Sequence, residues 1–253
     1  MDIMTLEKLN YNELKEIVKG YCVSGLGKAL IDKLEPSSNL KIVNRRLNET
    51  SEGRRLIDAS YHIPLVGIFN VLPYIDKIEK GASLDPEDLA IMSDFLRGCR
   101  KVKLFIKDKE GYAPTLSSYG ESITDLSFIE EEINRCIRGS IVDSNASREL
   151  KKIRRGIDEC ENKIKEKLER FLKNSENKQY IQEFFISKRN GRYTIPIKAS
   201  YKNYVQGTII ESSSKGTTVF MEPSTVSKYT SELAILKAEE SVEEYKILGM
   251  LTE

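Results

Sequence analysis

Two strings in this sequence carry residue types that do chemistry in other proteins, and both fall short of it. Gly25-Leu26-Gly27-Lys28-Ala29 has the glycine–lysine pattern of a loop that cradles phosphates with backbone N–H groups. That loop needs glycine where Cys22 stands and a Ser or Thr hydroxyl where Ala29 stands, so the string reads as a helix start. Ser212-Ser213-Ser214-Lys215 has the Ser-x-x-Lys spacing in which a lysine activates a serine, but its companion Ser-Asp-Asn and Lys-Thr-Gly elements are absent. His62 is the single histidine, and Cys22, Cys99, Cys136 and Cys160 lie far apart with no Cys-x-x-Cys spacing. Zinc sites need closely spaced His and Cys ligands, so no metal site is expected. No catalytic residue is assigned, and the thiols are expected to be buried and reduced.

Binding chemistry is better represented. Between Glu183 and Glu211 there is no acid, while Lys188, Arg189, Arg192, Lys198 and Lys202 supply positive charge. Phe184, Phe185, Tyr193, Tyr201 and Tyr204 are interleaved with them. Cations displace counterions from phosphates and exposed rings stack on unpaired bases, so the mixture suits nucleic acid. The same residues also fit a half-exposed small sheet with snorkelling lysines and core tyrosines. A second cluster opens the segment Arg148–Lys173, which holds ten Lys/Arg against six Asp/Glu. Arg148, Lys151, Lys152, Arg154 and Arg155 crowd its first two turns, where a helix dipole prefers acids. Lys215, after three serines, adds a cation to a string whose hydroxyls and N–H groups could form an anion nest or a tight polar turn.

The elements that position these residues are mainly helical. Up to about residue 140 the apolar spacing predicts short and medium helices: one along Leu6, Leu9, Leu14, Ile17, Val18 and Tyr21, a second ended by Pro36, and a third from Asn39. Asp85-Pro86-Glu87-Asp88 marks the clearest helix start. Residues 111–120 read as a glycine, proline and serine loop, and Ile129, Ile133 and Ile137 as a helix closed by Gly139. After the capping cluster Asp143–Ser147, the stripe Leu150, Ile153, Ile157, Cys160, Ile164, Leu168 and Phe171 approaches a coiled-coil seam. Residues 184–222 read as short strands with a hairpin turn at Asn190-Gly191 and an edge strand around Pro196. A last helix starts at Ser224, and its acids Glu232, Glu239, Glu240, Glu243 and Glu244 complement the basic Arg148 helix, so the two are expected to pair antiparallel.

Composition narrows the class. The 253 residues are 40% hydrophobic and 31% charged, with 40 Lys+Arg against 39 Asp+Glu, which is globular and too balanced for a basic tail. No run reaches the length of a membrane helix, and Met1-Asp2-Ile3-Met4-Thr5 is no signal peptide. A cytoplasmic protein without a membrane partner is expected.

Several strings together resemble the N-terminal part of the second bacterial MutS family, the paralogue that lacks the mismatch-reading domain. They are Thr5-Leu6-Glu7-Lys8-Leu9, Leu34-Glu35-Pro36-Ser37-Ser38, Asn48-Glu49-Thr50-Ser51-Glu52, Leu96-Arg97-Gly98-Cys99-Arg100, Ala146-Ser147-Arg148-Glu149-Leu150, Arg189–Pro196 and Ser212–Pro223. The resemblance implies a mainly α fold: a helical core or lever bundle over residues 1–140, then a clamp over residues 141–253. The clamp would comprise antiparallel coiled-coil helices, a small antiparallel β element over 184–222 and the start of a returning helix. The last helix has no stop signal, so the chain is expected to be cut within the clamp. The resemblance also places an ATPase that uses ATP and Mg, and a C-terminal Smr nuclease domain, beyond residue 253. It implies a homodimer formed through that ATPase, and roles in suppressing recombination at branched DNA and in rescuing stalled or collided ribosomes. On this view the chain is a noncatalytic gripping module for branched DNA or ribosomal RNA. The alternative is a structural coiled-coil module that contacts a protein.

Overall fold

The computed structural model describes residues 3–253, which divide into two compact units: residues up to Asp143 together with Leu248–Glu253, and Ser144–Ile247. The fold is mainly helical with small antiparallel β elements, as the sequence predicts.

The first unit opens with α1 (Ile3–Lys8), α2 (Tyr11–Gly20), α3 (Gly25–Asp32) and α4 (Leu40–Asp58). The single stretch expected over Leu6–Tyr21 is two helices, because Asn10 sits in the left-handed region at φ 50° and turns the chain between them. Ser24 caps α3, its Oγ accepting from Gly27 N at 3.0 Å. The Gly25–Ala29 string is therefore a capped helix start, and among the described residues it follows helices, not the strand that a phosphate loop needs. Next come α5 (Leu72–Glu79), α6 (Pro86–Lys107), α7 (Pro114–Ser122) and α8 (Ser127–Cys136). Asp85 Oδ1 caps α6 by accepting from Asp88 N at 2.9 Å.

Helix α7 replaces the loop expected at 111–120. Pro114 occupies the first helical turn, where its missing N–H costs nothing. The N-terminus of α7 is capped from a distance: buried Glu52 of α4 accepts from Thr115 Oγ1 at 2.8 Å and from Leu116 N at 3.0 Å. Gly120 lets α7 press on α6, since a Cβ there would overlap Ile106 Cγ2. Helix α8 ends at Cys136, one residue before Ile137. Ile137 instead opens the hairpin β1 (Ile137–Arg138) and β2 (Ile141–Val142), whose turn holds Gly139 at φ 63°. Buried Glu130 on α8 ties it to α6 through Arg97 at 2.8 Å and Arg100 at 2.9 Å.

In the second unit Ser147 caps α9 (Arg148–Lys173), its Oγ accepting from Leu150 N at 2.9 Å. The strands β3 (Ser187–Arg189), β4 (Arg192–Lys198), β5 (Gly207–Ser212) and β6 (Thr218–Pro223) form an antiparallel sheet in the order β3-β4-β6-β5, and α10 (Ser224–Thr252) follows. Every residue of the predicted stripe from Leu150 to Leu168 is buried. From Ile153 on, the stripe packs with Ile181, Ile195, Ile197, Val219 and Met221 of the sheet side and with Val226 and Leu233 of α10. Helix α10 runs antiparallel to α9: Arg154 Nε and Nη2 reach Glu240 and Glu244 at 2.7 and 2.6 Å, and Lys237 lies 3.4 Å from Glu161.

The sheet accommodates both a proline and a bulge. Pro196 is in an interior strand, not at an edge. Its carbonyl accepts from Gln182 N at 2.9 Å, on the side away from β6, and a strand residue's N–H and C=O point the same way. The donor that proline lacks is therefore not one the β4–β6 ladder uses. Strand β5 is outermost and carries the bulge: Ile209 pairs with Met221 and Glu211 with Phe220, leaving Ile210 as the extra residue. At its start Gly207 passes so close to β6 that a Cβ would overlap Glu222 O.

All four cysteines are free. Cys136 and Cys160 are buried as expected, whereas Cys22 and Cys99 are partly exposed. Burial pushes the Cys99, Cys136 and Cys160 thiols up from their ordinary value, which keeps them protonated and poorly nucleophilic at neutral pH.

Candidate nucleic-acid interface

The ten cations expected to contact nucleic acid fall into three groups once the chain is folded. Arg148, Lys151, Lys152 and Arg155 stand exposed on the first turns of α9. Lys151 Nζ donates to Asn145 Oδ1 at 3.0 Å, Lys152 lies 3.9 Å from Glu149, and Arg155 lies 3.1 Å from Glu159. Arg148 has no carboxylate partner among the described residues. Helix α9 rises about 38 Å between its ends, so this group is far along the helix from the residues near Lys173.

Lys188, Arg189 and Arg192 flank the Asn190-Gly191 turn, whose residues both have positive φ, 48° and 77°. That conformation suits the tight hairpin between β3 and β4. Each of the three cations faces an acid. Lys188 Nζ is 3.8 Å from Glu161 and 5.1 Å from the Tyr193 ring centre. Arg189 Nε is 3.6 Å from Glu211, with the guanidinium 4.4 Å over the Phe220 ring. Arg192 Nη1 donates to Glu222 Oε2 at 3.0 Å, and Glu222 is fully buried. Burial would raise the Glu161 carboxyl, but a hydrogen bond from Tyr193 and the charges of Lys237 and Lys188 outweigh it and hold it below its ordinary value. Tyr193 is correspondingly pushed up by burial and by Glu161.

The third group lies at the other end of the sheet. Register places Lys198 opposite Thr218, beside the β5–β6 turn that carries Lys215. In that turn Ser213 N donates to Thr218 O, Gly216 N donates to Ser213 O, and Ser213 Oγ accepts from Thr218 N. The serines thus build a polar turn, with Gly216 at φ 67°. Lys198 Nζ donates to Gln179 O at 3.0 Å, and Lys202 and Lys215 are exposed. None of these three lysines pairs with a carboxylate among the described residues. Beside them Tyr180, Tyr201 and Tyr204 form a cluster with ring centres 5.5 to 6.1 Å apart.

Folding therefore separates cations that are neighbours in the sequence. Arg192 and Lys198 are six positions apart on one strand but at opposite ends of it. Tyr180 escapes a reading by composition because it precedes the acid-free stretch. The Ile181–Ile197 bridge and the Lys198 N to Tyr180 O hydrogen bond of 2.9 Å bring it to the site. Among the described residues no cluster of His, Cys, Asp or Glu is arranged to hold a metal ion, and no helix is long and apolar enough to cross a membrane. His62 is exposed in the segment between α4 and α5.

No family model matches the chain. It is similar along its length to proteins named Endonuclease MutS2. That of Alkaliphilus oremlandii is 34% identical over 251 residues, covering 98% of this chain and 32% of the relative. That of Halothermothrix orenii is 33% identical and that of Symbiobacterium thermophilum 31% identical, each covering the whole of this chain and about a third of the relative. The chain is MutS2-like over essentially all its residues and spans about a third of the length of the curated relatives it matches.

Proposed function

We propose that this chain is a noncatalytic gripping module of a MutS2-like protein, and that it holds nucleic acid at the Lys198 end of the sheet. The observation that carries the reading is the pairing state of the cations. Lys198, Lys202 and Lys215 lie toward one end of the sheet with no acid partner among the described residues, whereas Lys188, Arg189 and Arg192 are each beside a carboxylate. A cation without an acid beside it can neutralise a phosphate without first giving up an ion pair. On this reading residues up to about 140 correspond to the core or lever and the remainder to a clamp. The antiparallel α9–α10 pair would carry the sheet toward its target. On the same reading ATP-driven opening and endonuclease activity are assigned to parts of a longer MutS2-like protein outside these residues, and the Gly25–Ala29 string, a capped helix start, is given no phosphate-binding role. The biological settings that fit such a grip are branched DNA in recombination and ribosomal RNA on stalled ribosomes.

The test is binding of the purified chain to a labelled four-way DNA junction across a salt series, with intact ribosomes as competitor. Three phosphate contacts predict that log K falls against log salt with a slope of about −2 to −3. Replacing Lys198, Lys202 and Lys215 by Ala is expected to flatten that slope, and an unchanged slope would sink the placement. Junction binding abolished by ribosomes at low molar ratio would point to the ribosome as preferred target. Binding that survives them would point to branched DNA.

One observation favours the alternative, a coiled-coil module that contacts protein. The face of α10 turned to solvent carries Ile235, Val242 and Tyr245, 61%, 69% and 70% exposed, at the seven- and three-residue steps of a helical seam. That reading predicts no salt-sensitive binding to junctions or ribosomes.

A further inference from the structure

The three tyrosines beside Lys198 differ from an ordinary core cluster. Tyr180 and Tyr201 rest against the buried residues of the second unit, whereas Tyr204 lies outside them and is 69% exposed. The planes of Tyr180 and Tyr204 are only 16° apart, with centres separated by 6.1 Å, and Tyr201 meets both at larger angles. The backbone beneath them is fixed. Tyr180 N donates to Asn177 O at 3.0 Å, Tyr180 O accepts from Lys198 N, and Tyr204 N donates to Tyr201 O at 2.9 Å. No hydroxyl of the three is hydrogen-bonded among the described residues. Lys198 Nζ is 5.9 Å from the Tyr201 ring centre, and exposed Lys178 and Lys202 flank the rings in sequence.

We infer that this cluster is a stacking platform for unpaired nucleobases, with Tyr204 as the outer ring and Lys198, Lys202 and Lys215 on the flanking phosphates. A base inside a duplex has both faces covered by its neighbours, whereas an unpaired base has a face free to lie on a ring. An exposed ring held on ordered backbone meets it without a large ordering penalty. The lysines supply attraction to the backbone of any strand, and the tyrosines add a preference for splayed bases. The ligand class is a single strand, or the unstacked branch of a junction or folded RNA. The platform rests on the nucleic-acid reading of the lysines and narrows it.

The test compares short fluorescent oligoadenylates, ribo and deoxyribo, with a blunt DNA duplex of equal length, all binding the whole chain at one low salt concentration. Stacking of one base is worth roughly tenfold in affinity. Tyr204→Ala is therefore expected to lose about tenfold for both single strands while its duplex affinity and thermal midpoint stay unchanged. Tyr204→Phe, which keeps the ring, is expected to bind like the parent. The ratio of the two single-strand affinities in the parent then tells RNA from DNA as the source. Single-strand affinity unchanged in Tyr204→Ala, or reduced no more than duplex affinity, overturns the platform while leaving the phosphate-binding role of the lysines intact. Absence of salt-sensitive binding by the parent to any of the probes overturns both.

Discussion

Glu222 is fully buried, and the cation that compensates it is Arg192, about half exposed and 3.0 Å away; Glu222 Oε1 makes no hydrogen bond of its own. Removing the partner of a buried charge costs more than the pair itself contributes, because the remaining charge must stay dry. Arg192→Ala is expected to lower stability by about 1–3 kcal/mol, and adding Glu222→Gln should recover part of that. Urea unfolding of the two variants checks it, and equal losses would show that the pair is not the cause. Arg192 thus has a structural role that sequence charge alone hides, so weak binding by an Arg192 variant has to be judged beside its stability. Glu161 gives the pH counterpart. Its folded carboxyl titrates below the ordinary range, so its contribution is fully present above the unfolded value and is lost as pH falls through the folded one. The parent should be more stable than Glu161→Gln near neutral pH, with the gap in urea midpoint closing on acidification. A gap independent of pH would contradict the charge argument.

Helix α9 is the element the second unit is built on. Ile164 is fully buried in the middle of its stripe, and Ile164→Ala should cost about 2–5 kcal/mol, read as a lower unfolding midpoint. This helix was legible in the sequence because its apolar residues recur at three and four while its other faces are charged, a pattern with one structural solution. The strands around Asn190-Gly191 were legible for a similar reason, since that dipeptide supplies two left-handed residues in a row. Helix α7 was not. Its cap, Glu52, comes from a different helix, and its glycine serves contact with Ile106, so the local composition alone reads as a loop. Ile137 continues the apolar rhythm of α8 yet starts a hairpin, because Gly139 turns the chain back. The candidate site was legible as composition but not as geometry. An acid-free stretch says nothing of Glu161, Glu211 and Glu222, which pairing across the sheet and helices brings to three of its cations.

At the scale of the molecule, charge is nearly balanced, with a formal net of +1. Long-range attraction of a polyanion is therefore weak, and any grip has to come from local arrangement. Near-zero net charge also removes the mutual repulsion that keeps many proteins apart in solution, which gives the edges of the sheet more weight. Strand β5 is outermost, with Ile209 45% exposed, and a flat open edge is a template for a strand from another molecule. Ile210 interrupts that template. Deleting it would bring Glu211 next to Ile209 in the register it already occupies against Phe220, so the sheet should survive while its border straightens. Sedimentation of that variant is expected to show association that grows with concentration, and a strictly monomeric deletion variant would refute this. One surplus residue would then be what keeps two copies of the molecule from sharing a single continuous sheet.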